Sequence, residues 1–196
     1  GLPVDLLVTF VTQATIVASN HTKTIPIVMI GVSDPVASGL VASLSRPGRN
    51  VTGTSGMFSE ASGKRLQLLK EAIPGVQRIA VLWNPANRVF QMQMIDETEA
   101  AARPLGIELQ LFEAGDPESI ARAFAAISKE RVSGLNVLPD PAVAAHGARI
   151  AALATKARLP SVSANSMYAE AGGLMTYGPS FREMARGAGG HVAQIL

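Results

Sequence analysis

The chain has no cysteine among its 196 residues. That excludes disulfides, thiolate metal sites and a cysteine nucleophile together. It fits an exported protein, and it fits many cytosolic ones equally well. Charge of one sign is also missing: 17 basic residues stand against 15 acidic ones, spread along the chain for a formal charge of +2. No basic stripe marks a nucleic-acid partner, and Arg46 and Arg49 flank a turn that reads as a solvated loop. No apolar run approaches the ~20 residues of a membrane span. No signal peptide is visible either. The chain begins at Gly1 and runs almost directly into a strand, so it reads as an excised piece whose missing leader carries no information.

The signatures of catalysis fail as well. There is no G-x-S-x-G elbow, no G-x-G-x-x-G and no G-x-x-x-x-G-K-[ST]. His21, His146 and His191 are scattered without metal-ligand spacing, and nothing beside Asp34 and Asp140 completes a magnesium site. Gly187, Gly189 and Gly190 fall inside a helical pattern and read as close helix packing. The expectation is no cofactor, no metal and no catalytic residue.

What is present is an α/β rhythm. Hydrophobic residues make up 47% of the chain, aromatics only 5%, and small residues abound, a mixture suited to tight strand-helix packing in one large or two small cores. Val4 to Phe10 reads as a strand, followed by a helix through Ile16, Val17 and Asn20. Ile25 to Ile30 is a short β-branched run bounded by turn residues, the pattern of a strand buried on both faces. A short helix pattern runs through Val36, Leu40, Val41 and Leu44, and Arg46-Pro47-Gly48-Arg49-Asn50 ends it. Asn50 to Ser55 then reads as a second small strand, and Asn50 to Gly56 as a crossing into a second lobe. There, helices follow strands in order: a helix capped by Ser59, a strand at Arg78 to Trp83, a helix over Arg88 to Leu105 stopped by Gly106, a strand at Ile107 to Phe112. Asp116-Pro117-Glu118 starts the next helix. Gly134 to Leu138 and Leu159 to Ala164 are further strands, with a helix carrying Ile150, Leu153 and Ala157 inward between them. Leu174 to Gly178 reads as the return crossing, and Ser180-Phe181-Arg182-Glu183 spells a capping box before the last helix.

The predicted fold is therefore two Rossmann-like lobes with parallel sheets. Residues 1–50 and 179–196 form a partial first lobe, residues 56–173 the second, with crossings near 50–56 and 174–178. The first lobe is thin for a sheet buried on both faces, so strands are expected before Gly1, or a second copy completing the sheet. Self-association of this piece is the corresponding expectation.

In open parallel sheets, ligands bind beyond the carboxyl ends of the strands, where helix N-termini gather. That rule selects Thr12, Gln13, Ser33, Asp34, Asn84, Asp140 and Asn165, and the crossings add Ser55 and Tyr177. A second role is open to most of these: Thr12, Ser33, Asp34, Asp140 and Asn165 are placed to cap the following turns, and Asn84 precedes a proline. Tyr177 offers an aromatic face with a phenolic tip. Trp83 lies inside a strand and reads as core.

The string DPV..GLV.SL..PG.NVTG, from Asp34 to Gly53, resembles the solute-binding subunits of ABC importers of the tryptophan/tyrosine type. GKRLQLLKEAIPGVQRIAVLWNP, AAARPLGIELQ and AGGLMTYGPS resemble the same family in consistent order. The resemblance implies a type I periplasmic binding fold and an extracytoplasmic location. It also implies a membrane permease as partner and a small organic ligand such as an amino acid, captured between lobes and released unchanged. For such a ligand, Asp34 is the first choice for the ammonium and Asp140 the second. Thr12, Ser33 or Ser55 would serve the carboxylate, and Tyr177 the side chain. The alternatives are a ligand-sensing domain of a regulator and an α/β enzyme.

Overall fold

The computed structural model describes residues 3–56 and 60–196, the side chains of Glu60 and Val89 excepted. The chain divides into two compact units, residues 1–57 with 179–196 and residues 58–178. Every strand pairing in both is parallel, as repeated strand-helix units require. Ser59, expected as a helix cap, lies outside the described residues.

The first unit holds a sheet in the order β1 (Leu7–Phe10), β2 (Ile27–Val32), β3 (Val51–Ser55). The central strand is buried along nearly its whole length because it is covered on both faces. Ile27, Met29, Val32 and Val51 pack with Leu40 and Val41, and the other face receives α8 (Phe181–Ile195) through Met184 and Ala188. Helix α1 (Val11–His21) follows β1 directly. Its buried residue is Thr15, whose hydroxyl donates to the Val11 carbonyl and lies 2.9 Å from the Thr9 hydroxyl; Val17 is exposed. Val51–Ser55, expected as a small strand, pairs along β2 as the third strand.

Gly53 of this strand has no room for a side chain. Its φ is 135°, and a Cβ there would stand 2.1 Å from the Met29 carbonyl oxygen. Asn50 fastens the opposite end, donating Nδ2–H to the carbonyls of Thr22 and Ile25 at 3.2 and 2.8 Å.

The helix expected through Val36 and Leu44 does not form. Residues 35–39 make turns instead. The Asp34 carboxylate takes the N–H groups of Val36 and Ala37, and Gly39 at φ 67° breaks the run.

The second unit carries a sheet in the order β5 (Glu108–Glu113), β4 (Arg78–Trp83), β6 (Gly134–Val137), β7 (Ser161–Ser163), β8 (Met175–Thr176). Alternate residues feed opposite faces. Ala80, Leu82, Leu135 and Val137 meet α4 (Pro117–Ile127) and α6 (Gly147–Lys156). Ile79 and Val162 meet α2 (Glu60–Ala72) and α3 (Arg88–Leu105). Gly106 closes α3 in the left-handed region, and Asp116 closes the capping box of α4 with Ser119. In α6 Ile150, Ala151 and Ala154 are buried, and Leu153 packs half-buried against the same core. Ala157 is exposed, because the helix ends at Lys156 and the chain turns toward β7. Trp83 is buried in β4. Of the three C-terminal glycines, only Gly187 sits tight: a Cβ there would come within 3.2 Å of the Thr54 methyl, whereas Gly189 and Gly190 face open space.

Candidate functional site

The carboxyl edge of the first sheet gathers three hydroxyl residues. Thr12 lies in the first turn of α1, Ser33 just beyond β2, and Ser55 ends β3. The Ser33 N–H donates to Thr12 Oγ1 at 3.2 Å. The Ser55 hydroxyl reaches the carbonyls of Val32 and Ser33 at 3.1 and 3.4 Å. The Ser33 hydroxyl is buried and has no hydrogen-bond partner, although Ser33 is only 3% exposed. A buried hydroxyl without a partner costs stability.

Two backbone features meet the same edge. Phe10, the N-cap residue of the 11-residue helix α1, makes no side-chain cap bond, and the positive end of the helix dipole lies at this edge. Val11 at the junction has φ 62°, a strained conformation for a β-branched residue. Gln13 is exposed in the first turn of α1. Asp34 follows Ser33, spending Oδ1 on its own turn.

At the carboxyl edge of the second sheet, Asn84 and Asp140 are joined to each other. Asp140 Oδ1 accepts from Asn84 Nδ2 at 2.9 Å and from the Ala142 and Val143 N–H groups; Oδ2 accepts from Asn87 Nδ2 at 3.0 Å. Asn84 Oδ1 takes the Ala86 N–H, and Gln91 bridges the Asn84 N–H to the Pro139 carbonyl. Asp140 is buried and both its oxygens accept hydrogen bonds, so its carboxylate serves α5 (Pro141–Ala145) and the ends of β4 and β6. Asn165 caps α7 (Ser166–Glu170) through the Met167 N–H. Tyr177 follows β8 and is 44% exposed, and its N–H donates to the Ser163 carbonyl at 2.9 Å.

Arg65, Asn87 and Gln91 are not among the residues that the strand-end rule selects. Gln91 and Arg65 sit at inward positions of amphipathic helices, where a polar residue in an apolar stripe was the available signal. Arg65 is fully buried, and burial brings its guanidinium down to about 10, partly opposed by Glu97. Among the described residues no group of three or more His, Cys, Asp or Glu could hold a metal ion. A cavity of about 100 Å³ in the first unit is lined by Asn20, Lys23, Arg49 and Asn50 among others. It lies by the amino ends of β2 and β3, and its two cations are already turned onto the Ser19 and Gly39 carbonyls.

Residues 2–196 match the family model described as ABC transporter substrate binding protein. A protein of Clostridioides difficile (strain R20291) named a tyrosine-binding protein is 27% identical over 192 residues, 98% of this chain and 54% of that protein. A conserved domain protein of Vibrio cholerae is 31% identical, with a TM-score of 0.82 over 97% of this chain and 63% of its own. An ABC domain in complex with L-Trp from Streptococcus pneumonia shares the fold at a TM-score of 0.82 and 24% identity, with the same coverage. The chain thus spans about half the length of the curated relative it matches. The fold is that of periplasmic binding proteins.

Proposed function

Because this chain belongs to the ABC transporter substrate-binding protein family, we propose that it captures a small amino-acid-like solute for an ABC importer. The observation that carries this reading is the partnerless Ser33 hydroxyl, set beside Thr12, Ser55 and the start of α1. Together these favour an anionic group such as a ligand carboxylate. Asp34, whose Oδ1 alone is spent on its turn, suits the ammonium. Asp140 is set aside for that role, since both its oxygens already accept hydrogen bonds. Tyr177 is proposed as the contact for an aromatic side chain. The C. difficile relative is named for tyrosine, which supports putting aromatic amino acids first among ligands. No bond is made or broken; the ligand is handed unchanged to a membrane permease, on the extracytoplasmic side. A thermal-shift panel of the twenty amino acids tests the proposal. Aromatic amino acids are expected to raise the melting temperature; no shift with any member of the panel would contradict it.

A further inference from the structure

Arg65 is an unusual occupant of its position. It lies in the second turn of α2, fully buried, among the largest side chains in the molecule that water does not reach. Burying a guanidinium is costly unless its N–H groups are met. Its Nη2 donates to the Ser62 hydroxyl at 2.9 Å and its Nη1 to the Tyr177 carbonyl at 3.2 Å, while Nε is buried without a partner. Glu97 of α3 supplies the opposing charge, and its Oε2 is also buried without a partner.

The bond to Tyr177 falls where the backbone is already gripped. The Tyr177 N–H is held by the Ser163 carbonyl. The next residue, Gly178, runs so close to β7 that a Cβ would stand 2.6 Å from the Ala164 carbonyl oxygen. Beyond Gly178 the chain leaves the second unit. Ser163 and Arg65 therefore pin both backbone polar groups of one residue, itself exposed at the carboxyl edge of the sheet. A planar, forked cation can hold Ser62 and Tyr177 at once, whereas an ammonium is a single compact charge.

We infer that Arg65 is a positioning residue: its buried guanidinium fixes the Tyr177 backbone and thereby sets the tyrosine ring for the ligand. The inference rests on the proposed role of Tyr177, and the test separates the two. The tyrosines of this chain are Tyr168 and Tyr177, and in 3-fluorotyrosine-labelled protein their fluorine resonances are assigned with Tyr168→Phe and Tyr177→Phe. Buried Tyr168, bonded to the Ser161 hydroxyl at 2.7 Å, is the internal control. In Arg65→Gln the Tyr177 resonance is expected to shift or broaden while that of Tyr168 holds, and affinity for L-tyrosine to fall about tenfold. Arg65→Lys, which restores a cationic donor, is expected to recover part of both. If Arg65→Gln does not fold, Ser62→Ala, which withdraws the acceptor on Nη2, is expected to move the Tyr177 resonance in the same sense. An unmoved Tyr177 resonance, or wild-type affinity in a folded Arg65→Gln protein, overturns the inference. A wild-type protein that binds no amino acid, with the Tyr177 resonance still responding to Arg65, overturns the ligand reading and leaves the clamp in place.

Discussion

Asn84 donates its side-chain N–H to Asp140 across 2.9 Å, joining the carboxyl ends of β4 and β6. Both residues are buried, and Asp140 also serves Asn87 and the first N–H groups of α5. Asp140→Ala removes a helix cap and strands buried amide donors, a loss of about 3 kcal/mol. Urea unfolding should show a lower midpoint with an unchanged slope; a midpoint equal to wild type would rule out this role.

The Asn84–Asp140 pair also shows what the sequence conveyed and what it withheld. Both residues were legible as strand-end polar residues, since periodicity fixed β4 and β6 almost to the residue. That they bond to each other was not legible: they lie 56 positions apart, and only the pairing of β4 with β6 brings them together. The turn after Asp34 departs from its helical spacing for a different reason. Val36, Leu40, Val41 and Leu44 have helical spacing, but Asp34 and Gly39 compete locally for a turn. Arg65 carries only a weak signal, its inward position in an apolar stripe, because a lone arginine on an amphipathic helix is ordinarily solvated.

Ser33→Ala separates binding from stability. The hydroxyl is buried without a hydrogen-bond partner, so its removal should leave the unfolding free energy within about 0.5 kcal/mol of wild type, or raise it. Affinity for the ligand should nevertheless fall about tenfold, some 1.4 kcal/mol. Paired denaturation and titration would check this; equal loss in both would mark Ser33 as structural.

Gly53→Ala should be among the most damaging single changes. Its Cβ would collide with the Met29 backbone, at a φ that side chains rarely adopt. The expected loss exceeds about 3 kcal/mol, read as a collapsed melting temperature or as failure to accumulate folded protein. A variant that melts with wild type would contradict the geometry.

The Asp116 cap sets a pH dependence. Hydrogen bonds from Ser119, followed by that from Glu118, hold its carboxyl below the ordinary 3.8. A carboxylate lowered on folding stabilises above its unfolded value and loses that contribution as pH falls through the folded one. The stability gap between wild type and Asp116→Ala should therefore be full at neutral pH and narrow progressively below about 4. A gap that is constant down to pH 2 would exclude the cap as its source.

Titration calorimetry of L-tyrosine into the protein as its own gene encodes it reaches the ligand claim without intermediaries. The account predicts saturable binding to one site with a dissociation constant of ~1 μM or tighter. No heat from L-tyrosine, L-tryptophan or any other amino acid would contradict it.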